Sequence, residues 1–333
     1  MQLERTLWHP VALSHAVGNQ PLAANLLGED LVLWRDGAGQ AHAWMDQCPH
    51  RGARLSLGRV RQGQLECAYH GWRFEGSGQC AHIPATPEFQ PGPRYCARSY
   101  AAQEAYGMLW VRLQEPEGAP QPLHALPLFA AESEPRLRKT TSGPYFVNTS
   151  APRIIENFLD MAHFGYVHED WLGSREHTAI PPYEVERTER GVLATGCLAW
   201  QPRSSIHAES GAQVEYTYEV TAPYMAVLTK VPEAGTTAIE GMREAIAMFV
   251  CPVTEETSVA WTRMAMNDFE SPDARLIDFQ DTIFSQDRPV LESQRPKRLP
   301  LQPGAEMACA ADRMSIAYRR YLTDSGIRFG TLA

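Results

Sequence analysis

The chain has 333 residues, 44% of them hydrophobic and 21% charged, which is the balance of a globular protein with one large domain or, on this reading, two. A formal charge of −9 argues against a nucleic-acid binder, whose surface would carry a basic face. No apolar run reaches the roughly 18 residues that a membrane span requires, the longest being "AIAMFVCPV". The N-terminal "MQLERTLWHP" has no basic start followed by an apolar core, so no signal peptide is expected. Seven scattered cysteines, an odd number, do not make a disulfide framework, and a reducing cytoplasmic setting is expected.

Up to about residue 115 the pattern is one of short strands and turns. "LVLWRDGAGQAHAW" predicts a strand, a glycine-containing turn and a second strand, and "GMLWVRL" at 107–113 predicts another. Between them lie "QCPHRGA" and "ECAYHGWRF", which place Cys48-x-His50 and Cys67-x-x-His70 on two short loops. Gly52 and Gly71 allow those loops to turn tightly, so four side chains can converge. A structural zinc would use this Cys₂His₂ count. A Rieske [2Fe–2S] cluster would use it with both cysteines on one iron and both histidines on the other. The pairing of one cysteine and one histidine per loop favours the cluster, because in C₂H₂ zinc fingers the cysteines come together first.

The proline- and acid-rich stretch "QEPEGAPQPLHALPLFAAESEPRLRK" breaks the periodicity, and the domain boundary is placed there, giving domains 1–125 and 126–333. The second domain reads as α+β. "APRIIENFLDMAHFGYVHED" predicts a helix with Ile154, Ile155, Phe158, Leu159 and Ala162 along one side. "AQVEYTYEVTAPYMAVLTKV" alternates as a strand does, and "AIAMFVCPVTEETSVAWTRMAMN" predicts a hairpin around "TEET". A second helical pattern runs from 272 to 294 and is interrupted by Pro289. On a regular helix His163 and His168 would stand about 140° apart. Only a kink or π-bulge, expected at Gly165, would let both reach one ion.

"CPHRGARLSLGRV…LECAYHGWRFEGSGQC" resembles the Rieske segment of the Rieske non-haem iron oxygenases, and "ENFLDMAHFGYVH" resembles the mononuclear-iron segment of the same family, in the same order. The extra cysteines of respiratory Rieske proteins are missing beside the two loops, and Cys80 and Cys96 are expected to pack as small hydrophobes. The resemblance implies an N-terminal all-β Rieske domain followed by a catalytic domain of antiparallel sheet plus helices, a START-like helix-grip. It implies Cys48, His50, Cys67 and His70 as cluster ligands and His163 and His168 on a mononuclear Fe(II), whose third ligand is a carboxylate. Among Asp278, Asp281, Asp287 and Glu292, Asp287 is chosen, because "FSQDRPVLESQRP" resembles the family's ligand segment and Pro289 should distort the helix there. Asp278 and Asp281 are expected to face solvent.

By the same resemblance Asp160 bridges a Rieske histidine of one subunit to an iron-ligand histidine of the next, in a homotrimer, and Asn157 lines the iron site. Electrons would come from a separate NAD(P)H-dependent reductase of flavin or ferredoxin type, since no dinucleotide fingerprint occurs here. "YGMLWVRL", "FSQDRPVLESQRPK" and "DRMSIAYRRYL" look most like the demethylating members, the methylxanthine N-demethylases with vanillate and dicamba demethylases behind them. The expected reaction is O₂-dependent hydroxylation of a methyl C–H on a small aromatic or heterocyclic compound, with formaldehyde release. The alternative is a ring-hydroxylating dioxygenase, for which the chain is short. Tyr216, Tyr218, Tyr224, Trp261 and Phe284 are candidates for stacking on a flat substrate. No nucleic-acid or membrane partner is expected.

Overall fold

The structure, a computed structural model, describes residues 2–118 and 121–333. The chain divides into two compact units, Met1–Ala125 and Leu126–Ala333. No helix among the described residues is long and apolar enough to cross a membrane.

The first unit is all-β. Its strands are β1 (His9–Leu13), β2 (Leu22–Leu26), β3 (Glu29–Arg35), β4 (Ala41–Met45), β5 (Arg59–Arg61), β6 (Gln64–Glu66), β7 (Arg73–Phe74), β8 (Cys80–His82), β9 (Ser99–Ala105) and β10 (Met108–Arg112). Six of them form a sheet in the order β1-β10-β9-β4-β3-β2, and β5 to β8 form a separate four-stranded meander. The run Leu31–Trp34 is buried at every position, so β3 is covered on both faces, which is why its sequence is continuously apolar rather than alternating. Trp34, Trp44, Phe74, Leu55 and Leu65 pack with Cys48, Cys67 and Cys80 in one core. This core carries the two loops that follow β4 and β6.

The second unit is a seven-stranded antiparallel sheet, formed by β11 (Arg138–Val147), β12 (Glu184–Arg187), β13 (Val192–Gln201), β14 (Ala212–Ala222), β15 (Met225–Pro232), β16 (Glu244–Pro252) and β17 (Ser258–Met266). Their order is β11-β17-β16-β15-β14-β13-β12, with the fully buried β16 near the centre. Four helices accompany it: α1 (Ala151–Leu159), α2 (Phe164–Val167), α3 (Asp273–Ser293) and α4 (Arg313–Asp324). The α+β class with an all-β Rieske unit ahead of it is the one expected. A partly buried network holds α1 to α4: Arg153 bonds both carboxylate oxygens of Glu306 (3.1 and 2.6 Å), and Arg319 pairs with Glu156 and Glu306 at 2.5 Å each.

Local geometry corrects the sequence reading in three places. The stretch 151–168 is not one kinked helix. It stops at Leu159, Asp160 is extended (φ −92°, ψ 133°), and only the single turn α2 follows. Asp160 causes the break, because its carboxylate accepts the backbone N–H of Ala162 at 2.7 Å, replacing a helical bond. Gly165 is therefore not the point of distortion. Its smallness is used in packing instead, since a Cβ there would stand 2.9 Å from the carbonyl oxygen of Ser174. The alternating stretch 212–232 is a hairpin, β14 and β15, turned at Pro223 and Tyr224. Finally, α3 continues through Pro289 to Ser293, so Asp287 is presented by regular helix and not by a distorted turn. Its buried residues Leu276, Ile283, Phe284, Asp287 and Leu291 form one helical stripe.

Candidate metal centres

The two loops of the first unit have matching backbones. The amide of Gly52 bonds the carbonyl of Cys48 at 2.9 Å, and that of Gly71 bonds the carbonyl of Cys67 at 3.0 Å. Each loop is closed from the other side as well, by Cys48 N–H to Ala53 O (2.8 Å) and Cys67 N–H to Trp72 O (2.9 Å). Gly52 and Gly71 both have φ of +71°, the left-handed conformation that glycine adopts without strain. The cysteines point inward and are 2% exposed each, whereas His70 is exposed and His50 partly so. The histidine rings lie 4.5 Å apart between centroids, and His50 stacks on Trp72 at 4.4 Å and 6°.

This donor set fits a [2Fe–2S] cluster. His50 Nδ1 is buried without a hydrogen-bond partner among the described residues, as a lone pair directed at a metal would be. Partial burial, then the charges of His70 and Arg51, hold His50 below the usual imidazole range, keeping it neutral and able to ligate. Burial pushes the Cys48 thiol up to about 12, and Cys67 beside it adds to the rise, so only a strongly bound cation would make it the thiolate that a cluster requires. Cys80 is buried in the core, and all seven cysteines are free.

In the second unit His163, His168 and Asp287 converge. The two Nε2 atoms are 3.2 Å apart, and Asp287 Oδ1 stands 3.5 Å from His163 Nε2 and 3.2 Å from His168 Nε2. Each ring is fixed from behind. His163 Nδ1–H donates to Asp160 Oδ2 at 3.0 Å, and His168 Nδ1–H donates to Gln286 Oε1 at 2.8 Å. Both Nε2 lone pairs are thereby turned toward the carboxylate with no proton between them, an arrangement that repels itself unless a cation sits there. It is the two-histidine, one-carboxylate set of mononuclear iron sites. Asn157 Nδ2 donates to Asp287 Oδ1 at 3.3 Å and holds it. Burial alone would raise the Asp160 carboxyl, but the His163 ring and the Ala162 and His163 backbone amides outweigh it and hold it below the usual range.

Beside the three groups opens a cavity of about 70 Å³ between the sheet and the helices, walled by Phe158, Tyr216, Tyr218, Leu228, Ile283 and Phe284 among others. Of the aromatic candidates, Tyr216, Tyr218 and Phe284 line it. Tyr224 and Trp261 do not; the Tyr224 hydroxyl bonds Phe329 O at 3.0 Å, and Trp261 packs in the core against Gly143. Of the other carboxylates weighed for the third position, Asp278 faces solvent as expected. Asp281 does not simply do so, because it accepts the Tyr145 hydroxyl at 2.5 Å, and Glu292 accepts the Asn148 amide at 2.8 Å. Sequence reasoning missed Gln286, Gln280 and Lys230. Gln286 adjoins Asp287, but its partner is 118 residues away, so no local pattern marks it.

A Rieske-type loop pair followed by a sheet-and-helix unit bearing a two-histidine, one-carboxylate cluster defines a two-centre iron oxygenase. Comparison with known proteins agrees: residues 7–101 match the Rieske [2Fe-2S] domain, and residues 147–325 match the vanillate O-demethylase oxygenase C-terminal domain. The chain belongs to the Rieske oxygenases that carry this C-terminal domain. It is 30% identical over 329 residues, 96% of this chain and 88% of the relative, to the methylxanthine N1-demethylase NdmA of Pseudomonas putida. It is 40% identical over 234 residues, 69% of this chain and 79% of the relative, to the probable methylxanthine N7-demethylase NdmC of Pseudomonas sp. strain TJI-51. The structure of Pseudomonas putida CBB5 NdmA with caffeine superposes with a TM-score of 0.81 at 29% identity, covering 96% of this chain and 90% of that one.

Proposed function

We propose that the chain is the oxygenase component of an oxidative demethylase acting on a small N-methyl or O-methyl compound. His163, His168 and Asp287 hold the mononuclear iron, and Cys48, Cys67, His50 and His70 hold the Rieske cluster. The observation that carries the reading is the convergence of two Nε2 lone pairs and Asp287 Oδ1 at the wall of a largely apolar, aromatic-lined cavity. When bound, the iron supplies O₂ activation with electrons passed on singly by the cluster. The overall change replaces a methyl C–H by C–OH, with the second oxygen leaving as water at the expense of two electrons and two protons. The hydroxymethyl product then loses formaldehyde.

The protein's own part is positional. Asp160 and Gln286 accept hydrogen bonds from Nδ1–H of His163 and His168, which keeps both Nε2 atoms available for ligation. Asn157 holds one oxygen of Asp287 by a single hydrogen bond. Phe284 stacks on Tyr145 at 4.0 Å and 10°, and Tyr216 stacks on Tyr218 at 5.6 Å and 12°, so the aromatic walls are rigid and can hold a flat ring with its methyl group toward the iron. The electron donor is a separate reductase and the setting cytoplasmic. Asp160 remains partly exposed while bonded to His163, consistent with a role in receiving electrons from a neighbouring subunit's cluster in a homotrimer.

The test is iron and acid-labile sulfide content of anaerobically purified protein, followed by turnover of N-methyl and O-methyl compounds with an NAD(P)H-dependent reductase. About three irons and two sulfides per chain are expected, with formaldehyde released in step with substrate loss. Zinc without colour, or turnover to ring diols without formaldehyde, would overturn the reading.

A further inference from the structure

The sheet registers that wall the cavity run in rows across β14, β15 and β16. One row is Tyr218, Leu228 and Ile246, apart from the Tyr218 hydroxyl an apolar surface. The neighbouring row is Tyr216, Lys230 and Glu244. Lys230 is the one lysine or arginine lining the cavity among the described residues, and it is 4% exposed. A lysine so placed needs partners, and it has two. Its ammonium lies 2.6 Å from Glu244 Oε2 and donates to the Ser204 carbonyl at 2.9 Å.

Three consequences follow from that arrangement. An ammonium has three donors, and two are used, so one N–H of this cavity-lining lysine is left uncommitted among the described residues. Its charge is already balanced by Glu244, so a substrate carboxylate would meet a second carboxylate beside the same ammonium and find no other lysine or arginine lining the cavity among the described residues. A buried carboxylate without its own partner is strongly disfavoured. A neutral acceptor suffers no such repulsion and receives a charge-assisted hydrogen bond. The Tyr218 hydroxyl, buried and without a hydrogen-bond partner among the described residues, adds a second donor on the same wall.

We propose that Lys230 is the specificity-determining residue of this site and that it selects an uncharged ring bearing a neutral acceptor, such as a carbonyl oxygen, against a carboxylate of the same shape. The proposal rests on the cavity being the substrate site of the demethylase reading. Glu244 acts through Lys230, as its charge partner.

The experiment is calorimetric binding to the anaerobic holoenzyme of two probes of one shape, 4-methoxybenzamide and 4-methoxybenzoate, and of methoxybenzene, which lacks the acceptor. The amide is expected to bind about tenfold or more tightly than either of the others. In the double variant K230M/E244Q, which removes both charges and leaves no orphan carboxylate, the amide's advantage over methoxybenzene should fall to within about threefold. Equal or tighter binding of the benzoate by the wild type, or no binding of any probe, overturns the proposal without recourse to a variant. So does a double variant, folded and still coloured, that keeps the amide's advantage. Formaldehyde release from the same probes is read separately. Selective amide binding without formaldehyde would sink the demethylase reading and leave Lys230 standing, and formaldehyde from a preferred benzoate would do the reverse.

Discussion

Gly173 packs against the turn between the two histidines proposed for the iron site, and Gly173→Ala tests how tightly that turn is held. A Cβ on Gly173 would stand 2.5 Å from Gly165 N and 2.6 Å from Phe164 O, both backbone atoms lying between His163 and His168 in the chain. Phe164 C would stand closer still, and ordinary contact begins at 3.4 Å, so the two segments must part by about 1 Å. The segments are also tied directly, since Gly173 N–H bonds His168 O at 3.2 Å. Gly173 does not adopt a left-handed φ, so alanine meets no backbone penalty and the cost is purely steric, about 1–3 kcal/mol. That cost would leave the protein folded, but metal–ligand distances tolerate only about 0.2 Å. The variant is therefore expected to bind Fe(II) about 10–100-fold more weakly while keeping its cluster, going from about three irons per chain to about two with unchanged visible absorbance. Anaerobic iron titration with metal analysis measures this. Gly92→Ala, where a Cβ meets nothing within 4 Å, serves as the control. Wild-type iron affinity in G173A would show that the turn relaxes freely and that the packing argument is wrong.

Asp287→Ala should remove the mononuclear iron and turnover and leave the cluster's colour; retained product formation would mean that another carboxylate completes the site. Asp160→Asn should keep both metals but slow reoxidation of the reduced cluster in the presence of substrate and O₂, by stopped-flow absorbance, and an unchanged rate would remove Asp160 from the electron path. Arg153→Met removes the cation that bonds Glu306 and the Pro296 carbonyl; because Arg319 still faces Glu156 and Glu306, the loss should sit near the low end for a broken buried pair, about 3 kcal/mol, or about 6–12 °C in the melting temperature of the second unit. His9 is fully buried, and desolvation, only partly offset by the Glu4 carbonyl, lowers its pKa to about 4. Its unfolded value of about 6.5 is higher, so protons favour the unfolded state: the stability is complete above pH 6.5 and falls by about 3 kcal/mol as pH drops to 4. Denaturant unfolding at pH 7 and 4.5 should show a smaller difference in H9Q than in wild type, and equal differences would refute the assignment.

The Rieske loops were legible because everything they need is local. The two ligands proposed for each loop lie within four residues of each other, a glycine follows each histidine closely, and strand-forming runs flank both loops. The strands of the second unit were legible in the same way, since a period of two marks which side chains share a face. Periodicity reports only what one segment does along its own axis. It marked Tyr216 and Tyr218 as a pair but could not say that the helices cover their face, nor that Tyr224 sits in the turn and away from the cavity. The helical pattern of 151–168 was misleading for a related reason. The apolar spacing continued, but the Asp160 side chain competed for the backbone N–H of Ala162 and ended the helix early. Pro289 failed to interrupt α3, whose stripe from Leu276 to Leu291 is held by burial. Tertiary structure alone decided the pairings that span the chain: Gln286 behind His168 and Asn157 on Asp287. Such contacts depend on how the sheet and helices close on one another, and the residues that meet there carry no mark of it in their own neighbourhoods.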